Sequence, residues 1–200
     1  MRLRLVWSAG LFVLVALAGI EARQDLSQAD ADRMAKKIVA IVERGAVVPG
    51  KTARPLRTSF TDREVNAYFR FNKELLPEGV SDARIVIAPG GKVQALAKVN
   101  LTEALKTKDR SWLDPLAWVS GVVEITAYGT LEAVGGKGRF TLERSLFAGV
   151  PVAPAILQQV VTFYSKSAES PDGIDLQKPF ELPVGIRSVE TGAGTAIVVQ

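Results

Sequence analysis

The stretch VVEITAYGTLEAV, Val122–Val134, decides the architecture. Val123, Ile125, Ala127, Gly129, Leu131 and Ala133 form one alternating set, and Glu124, Thr126, Tyr128, Thr130 and Glu132 form the other. Strict period two with apolar residues on one side is the signature of a half-buried β-strand. Thirteen residues at about 3.3 Å each span roughly 43 Å, against a usual strand of about 5–6 residues. Long antiparallel strands twist and coil, so this one predicts a sheet that curls around something.

Working outward, Gly135-Gly136-Lys137-Gly138 turns the chain, and Arg139 to Phe147 returns with Phe140, Leu142 and Leu146 expected inward. The glycine run lacks the G-x-x-x-x-G-K-[ST] spacing and sits between strands, so it reads as a hairpin turn and not a phosphate loop. Upstream, Arg84–Ala88, the turn Pro89-Gly90-Gly91 and Lys92–Leu101 form another expected hairpin, with Val93, Ala95, Ala97, Val99 and Leu101 on one face. Thr61-Asp62-Arg63-Glu64 is a capping box opening a short amphipathic helix that runs to about Leu76, before Pro77. Ser27 starts an earlier helix reaching about Glu43, and Pro154 starts a third. A last hairpin combines residues 180–190 with Thr195–Val199.

The first 22 residues have a basic start (Arg2, Arg4), a sixteen-residue apolar run (Leu5–Ile20) and small-residue exits at Ala18 and Ala22. That layout is expected of a cleaved signal peptide, with cleavage after Ala18 or Ala22, because the run is shorter than the roughly 20 residues that span hydrocarbon. Loss of this segment removes Arg2, Arg4 and Glu21, and the net charge of +4 becomes +3. Export without cysteine points to a periplasmic or cell-envelope location. The expected organisation is 1–22 signal peptide, 23–57 helix and basic linker, and 58–200 the main domain.

The 200-residue chain contains no cysteine and no histidine. Catalytic triads, thiolate nucleophiles, and His- or Cys-ligated metals are thereby excluded. No paired-carboxylate site is legible, since Asp62 and Glu64 at i and i+2 do not face each other on a helix. No catalytic residue, metal or cofactor is expected, and the interspersed charge argues against nucleic-acid binding. Trp112, Leu113 and Trp118 suit transient contact with a membrane surface, although tryptophans at this spacing more often pack in a core. Lys51, Arg54 and Arg57 suit either an anionic headgroup or a solvated linker. The inward faces are under-filled at Ala95, Ala97, Ala127, Gly129 and Ala133. Small residues there either let a helix approach closely or leave a groove for an acyl chain.

Three segments resemble the tubular lipid-binding (TULIP) superfamily, in particular its small exported bacterial members that bind phospholipid. Phe60–Phe69 is similar to their S/T-x-x-E-[VIL]-N-x-[YL]-[LF] opening helix, the long central hairpin follows, and Phe180-Glu181-Leu182-Pro183-Val184-Gly185-Ile186-Arg187 through Gly194 to Val199 is similar to their terminal hairpin. The resemblance covers about residues 58–200. It implies an α+β fold in which a strongly curved antiparallel sheet wraps around one or two helices, here with an extra N-terminal helix. It also implies that phospholipid or another acyl lipid binds in the cradle. The expected lining is Val65, Phe69, Leu76, Ala97, Val99, Val123, Ile125, Ala127, Gly129, Leu131, Phe140, Leu142, Leu146, Ile156, Val160 and Tyr164. The competing expectation is an envelope scaffold whose core is filled by its own side chains and whose surface binds an unknown protein partner.

Overall fold

The computed structural model describes residues 25–47, 54–102, 121–166 and 171–200. The expected signal peptide, Lys51, and the Trp112, Leu113 and Trp118 trio lie outside the described residues.

Both early helices begin where side chains satisfy the orphan N–H groups of a first turn. Ser27 caps α1 (Gln28–Gly45) in a capping box completed by Asp30. Thr61 caps α2 (Asp62–Phe71) in a box completed by Glu64, as the T-x-x-E spacing predicts. The second helix is shorter than its apolar pattern suggests. Asn72 turns its side-chain amide back to the Tyr68 carbonyl, and the chain tightens into a 3₁₀ turn at Lys73–Leu75.

Between the two helices, β1 (Arg57–Thr61) is a strand where the sequence suggests the end of a linker. Its residues lack a clear alternation, and only pairing with the distant β9 reveals it. The main sheet contains β2 (Val80–Ile87), β3 (Lys92–Asn100), β4 (Val122–Val134), β5 (Lys137–Phe147) and β6 (Val150–Val152) in that spatial order. Beyond α3 (Pro154–Tyr164), β7 (Phe180–Glu181) adds to the far end of β5, giving six strands. A second sheet, ordered β1-β9-β8, is built from β1, β8 (Ser188–Gly192) and β9 (Thr195–Val199). The pairings are antiparallel and neither sheet closes on itself, so the fold is an open α+β arrangement.

The two sheets are tied at their turns. The Gly194 N–H donates to the Ile87 carbonyl, the Gly91 N–H to the Thr191 hydroxyl and the Gly136 N–H to the Arg187 carbonyl. Helix α2 lies along the free edge of β2. There the Asn66 side chain mimics a strand, accepting from the Ile85 N–H and donating to the Ile85 carbonyl. An edge strand otherwise presents unpaired backbone groups, and this amide covers two of them.

One feature of β5 revises the expected facing of its side chains. A bulge lets Tyr128 pair with Arg144 and the next residue, Gly129, pair with Leu142. An extra residue on one strand inverts its alternation beyond that point. Leu142 stays on the same face as Gly129, but Ser145 and Phe147 now join Ala127 and Ile125, and both are buried. Leu146, expected inward, pairs with Thr126 on the opposite face.

The core lies between this sheet and α3. Val99, Leu101, Ile125 and Phe147 of the sheet side meet Leu157 and Val160 of the helix, with Val123, Leu142 and Ile156 packed at its margin. Proline at the first position of α3 costs no hydrogen bond because that N–H would be an orphan.

α1 is held on α2 by a charged clasp. The Asp30 carboxylate accepts from Ser27, from Arg33 and, at 2.9 Å, from the Arg63 Nε. The Glu64 carboxylate accepts from Lys37 Nζ at 2.7 and 2.8 Å and from the Thr61 N–H at 2.9 Å. The Ser27 hydroxyl and Arg63 lower the Asp30 carboxyl to about pH 2. Burial pushes Glu64 up, but Lys37 and the Thr61 N–H outweigh it and hold the carboxyl below its usual range. A depressed carboxyl stabilises the fold above its unfolded value, about 4, and that contribution disappears as pH falls through the folded value. The backbone amides of α1 should therefore lose hydrogen-exchange protection between about pH 4 and pH 2, before those of β3 and β4 do. Simultaneous loss across helix and sheet would show that the clasp does not govern the docking of α1.

Candidate functional site

The apolar face of the six-stranded sheet is not filled from end to end. A groove of about 450 Å³ lies between β2, β3 and β4 below, α3 above, and Phe69 of α2 at one side. Its floor follows from strand register. Ile85, Ala95 and Ala127 stand abreast, as do Ala97 and Ile125 in the next inward row. Alanine at three neighbouring positions leaves room that larger aliphatic side chains would occupy. Phe140, Val99 and Val80 extend the floor, while Leu157, Val160, Val161 and Tyr164 of α3 form the roof. α3 packs tightly over Val99, Leu101, Ile125 and Phe147, and the space opens beside it.

Polar groups around the groove are engaged. The Tyr164 hydroxyl donates to the Asn100 carbonyl, orienting the ring over the end of β3. The loop after α3 is strapped back onto it. The Gln158 amide donates to the Ile174 carbonyl and accepts from the Leu176 N–H at 2.9 Å, which brings the Leu176 side chain to the groove wall.

Of the sixteen residues expected as lining, Phe69, Ala97, Val99, Ile125, Ala127, Phe140, Val160 and Tyr164 border this groove. Val65 is buried on α2, while Leu76 follows the 3₁₀ turn. Val123 and Ile156 pack against the core, and Leu142 does so while also bordering a smaller hollow of about 310 Å³ with Arg139, Pro154 and Gln158. Leu131 pairs with Phe140, and Leu146 faces away for the reason given above. Val80, Ala83, Arg84, Ile85, Ala95, Leu96, Leu157, Val161 and Leu176 also border the groove and were not expected there. Ala95 was legible as a small inward residue. Leu176 had one signal, its alternation with Ile174 as apolar side chains in a polar loop.

Gly129 is a structural position. A Cβ there would stand 2.4 Å from the Phe140 ring and 2.6 Å from the Thr141 carbonyl oxygen. The ring could swing, but the backbone oxygen cannot, so Gly129→Ala should destabilise the protein by about 1–3 kcal/mol, the usual cost of overpacking. Chemical denaturation checks this; an unchanged midpoint would mean that β4 and β5 separate freely at the bulge.

A second hollow, about 460 Å³, lies at the α1–α2 clasp and is lined by Ser27, Asp30, Arg33, Thr61, Arg63 and Glu64. Its two carboxylates are already bound by neighbouring cations and cap N–H groups, which gives it the character of a helix junction. Among the described residues, no group of three or more acidic side chains is placed to hold a metal ion, and no helix is long and apolar enough to cross a membrane. Compared with known proteins, the chain matches no family model, no curated protein and no solved structure.

Proposed function

We propose that this chain is an exported, non-catalytic lipid-binding protein of the cell envelope, which holds an acyl chain in the groove between its sheet and α3 for lipid transport or envelope maintenance. The observation that carries the proposal is the groove itself, about 450 Å³ with an almost wholly apolar lining. Such volume and lining are those of small-molecule sites, where exclusion of water provides the binding energy. The resemblance of residues 58–200 to TULIP proteins supports the same reading, as does the signal-peptide pattern of residues 1–22. A scaffold with a self-filled core is disfavoured by the same open space.

Magnitudes fix the scale of the cargo. A methylene takes up about as much room as a water molecule, roughly 30 Å³, so the groove accepts about fifteen of them. At about 0.8 kcal/mol each, burial of fifteen methylenes gives roughly 12 kcal/mol. Immobilising a ligand costs on the order of 4–15 kcal/mol, which leaves enough for useful affinity when the chain fills the space. Gentle-ionisation mass spectrometry of the purified mature protein should show an adduct that organic solvent extracts as lipid. A clean apo mass, together with no uptake of a fluorescent fatty acid, would refute the proposal.

A further inference from the structure

The groove has a neighbour in line with it. Along α3, the groove borders Leu157, Val160, Val161 and Tyr164, whereas the smaller hollow of about 310 Å³ borders Pro154 and Gln158 at the start of the helix. On the sheet, the groove lies over β2, β3 and β4, and the hollow lies at β5 beside Leu142. Two side chains border both spaces, Phe140 of β5 and Leu176 of the loop after α3. One rises from the sheet, and the other is tied to α3 by the Gln158 hydrogen bonds. The place of the Phe140 ring follows from Gly129. A Cβ at position 129 would stand 2.4 Å from the tip of the ring, so the ring lies across a stretch of β4 that glycine leaves bare. Phe140 pairs with Leu131 and is only half-buried, as a ring with open space on both sides must be.

From this arrangement we infer that Phe140 and Leu176 form a partition that sets the length of acyl chain the groove accepts. The inference rests on the acyl-chain reading of the groove and adds the chain-length class of its cargo. At roughly 30 Å³ per methylene, the groove is full at about fifteen carbons, and the hollow beyond the partition has room for about ten more. Each buried methylene improves affinity about fourfold. Affinity therefore climbs with tail length until the tail reaches the partition, and further methylenes stay in water and add nothing. Truncating either partition residue joins the two spaces. Leu142 and Pro154 then offer apolar surface to the end of a longer tail.

The test measures the saturated fatty acids from decanoate to eicosanoate, each below its self-association, by displacement of a fluorescent fatty acid from the full mature protein. In the parent protein, affinity should rise about fourfold per methylene up to tetradecanoate or hexadecanoate, then change less than about twofold up to eicosanoate. Phe140→Ala should extend the rise, so that eicosanoate gains at least about tenfold while decanoate stays within about threefold. Leu176→Ala, on a different element, should do the same, and it decides the matter if Phe140→Ala does not fold. Combining Phe140→Ala with Leu176→Phe returns a ring to the breach and should restore the parent limit, a reversal that general loosening of the fold cannot produce. A limit unmoved by either truncation overturns the inference while leaving the groove as an acyl-chain site. So does an affinity in the parent protein that climbs without a break to eicosanoate. Failure of every fatty acid to bind the parent protein removes the groove reading, and this inference with it.

Discussion

Replacing Ala97 and Ala127 together with leucine should weaken lipid binding at least tenfold while the fold survives. Both side chains border the groove and are only half-buried, so the added atoms extend into open space and not into packed neighbours. Each substitution adds about three carbon-sized groups, and the pair removes about 180 Å³ at roughly 30 Å³ per group. That is close to two-fifths of the available 450 Å³. A tail displaced by six methylenes loses about 5 kcal/mol of burial at 0.8 kcal/mol each. Some of this is recovered if the tail shifts along the groove, so the expected loss of affinity is at least tenfold. Circular dichroism should be unchanged and the melting temperature equal or higher, because the new side chains cover apolar surface. Uptake within twofold of the parent protein would mean that lipid binds elsewhere. Gly129 is unsuitable for this experiment, since any side chain there meets the Thr141 carbonyl before it reaches the groove.

The second large effect is on stability. Leu101 has no exposed surface and belongs to the cluster that joins the sheet to α3. It stands just past the end of β3, with its N–H bonded to the Gly121 carbonyl at 2.9 Å, so the backbone around it is fixed and the site is poorly able to collapse. Leu101→Ala should cost about 3–5 kcal/mol, the upper part of the range for buried leucine, because the cavity left behind adds to the lost transfer energy. At about 2–4 °C per kcal/mol for a domain of this size, the melting temperature should fall by roughly 6–20 °C. α3 should loosen first, since Leu157 and Val160 lose their opposing surface. A fall of less than 2 °C would show that α3 is not anchored through this cluster.

Much of the fold is legible in the sequence where local chemistry is decisive. The limits of β4 follow from thirteen alternating residues, and they agree with the structure residue for residue. The start of α2 follows from Thr61 and Glu64, and that of α3 from Pro154. Each of these signals is complete within a few consecutive residues. Others depend on partners far along the chain. β1 pairs with β9 across more than 130 residues, and β6 and β7 are short additions to β5 with too few residues to show a period.

The candidate site divides in the same way. Alternation identifies Ala97, Ile125 and Ala127 as facing one side, and the helical stripe identifies Val160 and Tyr164. Alternation fails for Leu146, because a bulge opposite Tyr128 and Gly129 inverts the phase, and the bulge has no mark of its own in the sequence. Leu176 is brought to the groove by long-range contacts, since Gln158 of α3 donates to the Ile174 carbonyl and accepts from the Leu176 N–H.

By itself, the sequence determined which segments become strands and helices and which of their faces are apolar, since side-chain periodicity and capping act over a handful of residues. It also removed histidine and cysteine chemistry by composition. Only the tertiary structure decided where those apolar faces meet and where they leave a gap. That outcome depends on strand register, a single bulge and the point at which α3 crosses the sheet, and each of these is fixed by contacts between residues remote in the chain.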